Sequence, residues 1–457
     1  MQKIREECGV FGVFGVEGAA EIVRMGLAFL QHRGQEGCGI AYLDQDGNLC
    51  LKKKLGLVSG VFPKGVPDAG TSRSAIGHVR YGTSGGSGED NVQPFVFRLK
   101  NGDFATAHNG NIVNADELFK ALSVRGKLFH SSSDSEILGA LLGESLRRGG
   151  TVSEASIARA LNQVDGAFSF LVLTGDTLYA CRDKYGLRPL SYGRLGNGFV
   201  VGSETCSLEA VGAHSVRDVR PGEIVRLSAD GINHTLYASV RQNAMCAMEY
   251  IYFARPDSDI EGLNVHAFRK ESGKILFRES PCGADMVIGV PDSGFSAAIG
   301  YSEASGIPME MALVKNAYVA RTFIQPTQEM RLNGVRMKLS PVRSLICGKR
   351  LVVVDDSIVR GTTSRQLIRM LRDAGAREVH MRSPSPPLRN PCYYGVDISS
   401  REELISASLD VEGVCRFIGA DSLAFISPEG LMEAGKRTRM CMACFSGNYP
   451  TDLYSHG

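Results

Sequence analysis

Asp355 and Asp356 stand side by side, followed by Ser357 and then by the run Arg360-Gly361-Thr362-Thr363-Ser364. Carboxylates accept hydrogen bonds and donate none, so an adjacent pair suits the two vicinal hydroxyls of a ribose and can steer a hydrated Mg2+. The following run gathers a cation, a glycine and three hydroxyls where a helical pattern, Arg365 to Leu371, begins. Backbone N–H groups and the helix dipole converge there, which is chemistry for a phosphate. The element that must position all of this is the apolar stretch Leu351-Val-Val-Val354, a buried strand whose carboxyl end is where open α/β sheets place ligands. A strand ending in a solvated turn with one helix-capping hydroxyl would explain a lone Ser or Thr, but it has no use for paired acids.

This order of residues, 351 to 364, resembles the signature of type I phosphoribosyltransferases. The resemblance implies that Asp355, Asp356, Ser357, Arg360, Gly361, Thr362, Thr363 and Ser364 bind phosphoribosyl diphosphate (PRPP). It also implies a second loop for the diphosphate, and Asp285-Met-Val-Ile-Gly-Val-Pro-Asp-Ser-Gly294 reads as a strand followed by such a loop. Ser293 is the candidate there, with Asp355 and Asp356, for Mg2+. Between the two loops lies a basic segment, Lys315 to Pro326 continuing through Arg331 to Lys338. The resembled enzymes close a mobile loop over PRPP at this point, excluding water from a carbocation-like centre. Ala320 stands where relatives usually carry glycine, which would stiffen the hinge.

A second set of reactive residues lies near the amino end. Cys8 opens the alternating stretch Gly9-Val-Phe-Gly-Val-Phe14, a strand; Arg80, within Gly77 to Thr83, lies beyond a short apolar strand; Asn109 and Gly110 sit in Ala107 to Asn111; and Asp134 lies in Ser132 to Glu136, ahead of the apolar helix Ile137 to Leu142. Each has an ordinary explanation: a buried small hydrophobe, a surface ion pair, a hairpin turn, and a capping box of Ser133 and Glu136. In this order, however, they resemble the glutaminase domain of N-terminal-nucleophile amidotransferases across most of residues 8 to 240. The resemblance implies that Arg80 binds the glutamine carboxylate and Asp134 its ammonium, presenting the side-chain amide to Cys8. Attack creates an oxyanion, for which the Asn109 amide and the Gly110 N–H are the expected donors.

No histidine is evidently paired with Cys8. In the resembled family the nucleophile is the first residue of the mature chain, and its own α-amine, titrating near about 7.7 to 8.0, accepts the thiol proton. Seven residues precede Cys8 here, so the expectation is a propeptide, Met1 to Glu7, removed by cleavage between Glu7 and Cys8.

Of the twelve cysteines, Cys441-Met-Ala-Cys444 forms a close pair that alone could be free thiols, a redox motif or half a zinc site. Over nearly its whole length the chain resembles the family of glutamine phosphoribosylpyrophosphate amidotransferases. Cys246 and Cys392 match ligand positions of its propeptide-bearing iron-sulfur members. That resemblance implies a structural 4Fe-4S cluster on Cys246, Cys392, Cys441 and Cys444. Cys38, Cys50, Cys181, Cys206, Cys282, Cys347 and Cys415 are expected to be buried or free thiols. The fold implied is an αββα sandwich over 8–240 followed, from 245 to 457, by a parallel-sheet phosphoribosyltransferase domain of α/β type with an iron-sulfur carboxyl-terminal segment. Arg220-Pro-Gly-Glu-Ile224 is a turn feeding a strand shortly before the boundary.

With 457 residues and a net charge of +2, the chain suggests two or three domains and gives no bulk electrostatic reason to bind nucleic acid or a membrane surface. No run approaches membrane-spanning length and the start lacks an apolar signal stretch, so a cytoplasmic enzyme is expected. The family resemblance implies release of ammonia from glutamine at Cys8 and its internal passage to ribose C1, giving 5-phosphoribosylamine, glutamate and diphosphate at the first committed step of purine synthesis. It also implies a homo-oligomer, a tetramer, inhibited by purine nucleotides. Three other functions share parts of the pattern: a PRPP-sensing regulator, an amidotransferase with another acceptor, and an electron-transfer iron-sulfur protein. The first lacks need of a glutaminase half, the second of the 351 to 364 loop, and the third of Arg80, Asn109 and Asp134 together.

Overall fold

Strand Gly9–Phe14 alternates its side chains between two environments, and this alternation builds the first half of the molecule. Val10 and Phe14 face a second sheet, whereas Phe11 and Val13 face helix Ala19–Phe29. A computed structural model describes residues 8–81, 88–100, 102–146, 150–239, 243–316, 339–398, 400–436 and 439–454. The expected propeptide, Gly82 and Thr83, residues 240 to 242 at the domain boundary, and nearly all of the basic segment with Ala320 lie outside the described residues.

Gly9–Phe14 is a central strand of a seven-stranded antiparallel sheet, between Gly198–Gly202 and Ser74–Arg80. A six-stranded antiparallel sheet lies against it, with Phe104–Ile112 and Gly166–Leu173 adjacent near one edge. Val10, Ile76, Ala105, Ala107, Leu171 and Leu178 form the core between the sheets. Helices Glu136–Leu146 and Glu154–Leu161 cover the outer face of the second sheet through Ile137, Leu141 and Ile157 against Phe104, Phe168 and Phe170. The result is the four-layered αββα sandwich expected.

The second half is built on four parallel strands in the order Met286–Gly289, Arg350–Val354, Glu378–Ser383, Ser422–Phe425. Val352 and Val354 pack under helices Val265–Glu279 and Phe295–Ser305, while Leu351 and Val353 pack under helices Thr362–Asp373 and Val411–Ile418. Both faces are covered, which is why this strand reads as an unbroken apolar run. Burying each such side chain stabilises the fold by about 1.5–3 kcal/mol. Cys441 returns the carboxyl-terminal segment to the domain junction, forming a parallel bridge with Cys246. No helix among the described residues is long and apolar enough to cross a membrane.

Candidate functional site

The register between Gly9–Phe14 and Ser74–Arg80 sets Gly9 opposite Val79, so Cys8 arrives beside Arg80 and Tyr81. Its half-buried thiol accepts from Tyr81 N at 3.5 Å and lies 3.6 Å from Tyr81 O. Arg80 is the last residue of its strand and is 3% exposed, so the surface ion pair considered from sequence is not what forms. Its Nη1 instead meets Glu36 Oε1 at 2.7 Å in a largely buried contact.

Asn109 and Gly110 do not turn the chain; they lie within the continuous strand Phe104–Ile112, paired with Ser169 and Phe168. Gly110 has φ +141°, and a Cβ there would fall 2.0 Å from the Ala167 carbonyl oxygen, so only glycine fits. Asn109 is fully buried, and neither its Oδ1 nor its Nδ2 finds a partner among the described residues. An amide left in this state costs about 1–3 kcal/mol, and an accepting ligand oxygen would satisfy its Nδ2.

Asp134 is held at the end of the same strand, its Oδ2 accepting from Ile112 N at 2.8 Å and its Oδ1 from Ser135 Oγ at 3.3 Å. The capping box read from Ser133 and Glu136 is replaced by a different arrangement. The Glu136 carboxylate accepts from Ser131 N at 2.9 Å and His130 N at 3.1 Å, tying down the loop ahead of helix Glu136–Leu146. Two histidines of the sandwich, His78 and His108, are buried. Burial pushes His78 down to about 3 and lowers His108 as well, so both are neutral. His108 stacks on Phe170 at 4.2 Å, and its Nδ1 meets Ser135 Oγ at 2.8 Å.

In the second half, strand Arg350–Val354 delivers Asp355 and Asp356, 2% and 3% exposed, to the carboxyl edge of the parallel sheet. The loop after strand Met286–Gly289 meets them there, with Ser293 Oγ donating to Asp356 Oδ2. Ser357 Oγ donates to Asp356 Oδ1 at 2.7 Å, and Asp356 N donates to Asp355 Oδ1 at 3.1 Å. Two carboxylates and a hydroxyl make an all-oxygen donor set that fits Mg2+. Gly361, with φ +71°, opens helix Thr362–Asp373, so the amides of its first turn face the same edge. Arg360 is turned to Glu403 at 2.6 Å, Thr362 is exposed, and Ser364 is buried in the first turn.

Sequence reading missed Arg269. This guanidinium is buried on helix Val265–Glu279, donating to Tyr250 O and Ala254 O at 2.7 Å each. Burial lowers it to about 10, while the Asp356 carboxylate pulls in the opposite direction. It also missed the ion pair of Lys315 with Asp292, in the diphosphate-type loop. Neither carries a spacing signal, because each partner arrives from a different element.

Cys246, Cys392, Cys441 and Cys444 line one small cavity with Leu187, Met248 and Tyr394. Burial pushes the Cys441 thiol up to about 12 and raises Cys444 too. Among the described residues no three His, Cys, Asp or Glu side chains come together as one metal ion requires. A four-iron cluster takes one thiolate per iron, so its ligands stand round a cube, whereas zinc needs four donors within about 2.3 Å of one point. Four soft sulfurs around an apolar space are the ligand type and number that such a cluster takes. Of the cysteines expected to be buried or free thiols, Cys38, Cys181 and Cys206 are buried, Cys50, Cys282 and Cys415 are half-buried, and Cys347 is exposed.

A family model described as a glutamine amidotransferase domain matches residues 82–210. An amidophosphoribosyltransferase of Bacillus subtilis (strain 168) is 50% identical over 458 residues, covering 99% of this chain and 95% of its own length. One from Staphylococcus aureus (strain COL) is 48% identical over 465 residues, covering 99% and 92%. Among solved structures, the B. subtilis glutamine PRPP amidotransferase complexed with ADP and GMP superposes with a TM-score of 0.91 at 49% identity, covering 98% of each chain. A structure described as the allosteric regulatory enzyme of purine biosynthesis also gives 0.91, at 50% identity, covering 98% of this chain and 97% of its own.

Proposed function

This chain belongs to the amidophosphoribosyltransferase family, and from that premise we propose which of its residues perform each half of the reaction. Its activity is glutamine-dependent amidotransfer to PRPP, the first step of purine biosynthesis. In our reading Arg80 and Asp134 hold the two charged groups of glutamine's α-carbon, and Cys8 attacks the side-chain amide. The thiol proton goes to the α-amine of Cys8, made available by removal of Met1 to Glu7. The oxyanion is stabilised by Asn109 Nδ2 and Gly110 N. Collapse to a thioester expels ammonia, and water then releases glutamate.

The ammonia crosses inside the protein to the second half, since protonation in bulk water would destroy its nucleophilicity. There Asp355 and Asp356 hold the ribose, and the loop from Ser357 through Arg360, Gly361, Thr362, Thr363 and Ser364 anchors the 5′-phosphate. Mg2+ held by Ser293, Asp355 and Asp356 would offset charge on the departing diphosphate. The buried charge of Arg269 compensates that of Asp356. Cys246, Cys392, Cys441 and Cys444 hold a 4Fe-4S cluster as a structural cross-link between the carboxyl-terminal segment and the domain junction. We further assign the enzyme to the cytoplasm, as a homo-oligomer regulated by purine nucleotides; the B. subtilis relative was solved with ADP and GMP.

The observation that carries this reading is the buried Asn109 amide, unsatisfied on both polar atoms and next in sequence to the constrained Gly110. The test is Cys8→Ala. It should abolish glutamine-dependent phosphoribosylamine formation while the reaction with free ammonia continues. Equal loss of both activities would overturn the two-site assignment.

A further inference from the structure

A segment of the second half lies directly on the oxyanion strand of the first. Asn111 Nδ2 donates to the Tyr393 carbonyl at 3.0 Å, and Arg188 Nη2 donates to the carbonyl of Tyr394. A Cβ at Gly395, which has φ +103°, would come 3.3 Å from the Gly110 carbonyl carbon and 3.2 Å from Arg188 Nη2, so the two backbones are in near contact. Arg188 also reaches Glu249 Oε1 at 3.4 Å; the same oxygen meets Arg33 Nη2 at 2.5 Å, and Arg33 Nε donates to the Cys8 carbonyl at 3.3 Å. The path therefore runs from the oxyanion donors, through the second half, back to the nucleophile. All three charges on it are at most 1% exposed. Buried charges tolerate few arrangements, because any lost partner leaves an ion without water.

We propose that the glutaminase site is completed by the second half of the chain, with Asn111 as a positioning residue. Its bond to the Tyr393 carbonyl fixes the strand so that Asn109 Nδ2 and Gly110 N point at the developing oxyanion. Asn111 touches no substrate in this arrangement; it acts through its two neighbours. The inference rests on the assignment of Cys8, Asn109 and Gly110 above. It goes further in making the oxyanion hole dependent on residues more than 280 positions away, the Asn111 to Tyr393 separation being 282. Misplacing donors without removing them lowers turnover and spares ground-state binding, because the ammonium and carboxylate of glutamine are held elsewhere.

The test uses the full-length protein carrying Asn111→Ala. Glutamine hydrolysis should lose about tenfold to a hundredfold in kcat, the scale expected for small misplacements, with KM for glutamine within about twofold. Alkylation of Cys8 by iodoacetamide, followed by mass of the Cys8 peptide, requires the nucleophile but no oxyanion hole, and its rate should be unchanged. Ammonia-dependent activity should be retained, which also shows that the variant folds. Wild-type kcat, or a fall in kcat matched by an equal fall in alkylation, overturns the proposal. Asn111→Asp, equal in shape but presenting an acceptor to the Tyr393 carbonyl, must lower kcat as well, and a wild-type value for it overturns the proposal even if the alanine variant does not fold. Cys8→Ala in parallel separates the two levels: if it remains active with glutamine, the underlying assignment has failed, whereas if only the Asn111 variants behave as wild type, the positioning role alone has failed.

Discussion

Glu249 and Arg33, 216 positions apart, meet at 2.5 Å with both side chains withdrawn from solvent. Arg33 keeps a second carboxylate, Glu204 at 2.5 Å, but Arg188 also leans on Glu249. Replacing Glu249 by Gln would leave two guanidinium groups sharing fewer negative charges in a site closed to water. Breaking such buried pairs costs about 3–5 kcal/mol, and the second partner of Arg33 sets this case at about 3. The expected outcome for Glu249→Gln is a clear drop in the denaturant midpoint of the full chain; a midpoint equal to wild type would show the network to be energetically idle.

Asn109→Ala removes one expected oxyanion donor without disturbing Arg80 or Asp134. Loss of one such donor costs about 10²–10³ in kcat. Glutamine hydrolysis should fall by that much with little change in KM, and ammonia-dependent synthesis should persist. A rise in KM at constant kcat would mean that Asn109 binds ground-state glutamine instead.

The layout of both halves could be read from the chain because each functional group sits at the end of a periodic element. The alternation after Cys8, the apolar run before Asp355 and the glycine at 361 are local signals with local causes. Arg269, the Arg33–Glu249–Arg188 chain and the Asn111–Tyr393 bond were not legible, since each joins residues from distant elements and no spacing rule relates them. Asn109-Gly110 was ambiguous for another reason. The pair is favoured in hairpin turns, yet here the partner strand Gly166–Leu173 takes up its positive φ within a ladder.

His78 supplies a pH prediction. Burial holds it down to about 3, against 6.5 for a free imidazole. The unfolded chain therefore binds a proton that the folded chain refuses, so stability falls as pH drops from about 6.5 towards about 3, and is undiminished above that window. The slope from this one group is about 1.4 kcal/mol per pH unit. Urea unfolding between pH 7.5 and 5.5 should show the decline, and His78→Leu should lessen it while the buried His108 keeps its own share; an unchanged slope in that variant would assign the acid sensitivity elsewhere.

The cysteine cavity makes an analytical prediction. Anaerobically purified protein should contain iron and acid-labile sulfide in equal amounts, and Cys444→Ser should lose both together. Zinc in place of iron, or iron retained in that variant, would remove the cluster assignment. Thermal unfolding should also come earlier in Cys444→Ser, because the carboxyl-terminal segment is joined to the junction there through Cys246 and Cys441.

Asp356→Asn separates the two halves from the other side. The Asp356 carboxylate accepts from Ser293 Oγ and from Ser357 Oγ, the latter at 2.7 Å, and it offsets the buried charge of Arg269. An amide can keep one of these contacts but supplies no charge for a cation or for Arg269, and its NH2 group repels the ribose hydroxyl hydrogens that a carboxylate would accept. Phosphoribosylamine formation should therefore fall by at least about a hundredfold with glutamine and with ammonia alike, the scale of losing a charged contact of about 3 kcal/mol at the reacting centre. Hydrolysis of glutamine at Cys8, measured without PRPP, should continue at its basal rate, since Asp356 follows strand Arg350–Val354 of the parallel sheet and Cys8 leads into a different sheet. Selective loss of the glutamine-dependent reaction would instead make Asp356 part of the route between the sites, and would move the ribose-binding role to Asp355 alone.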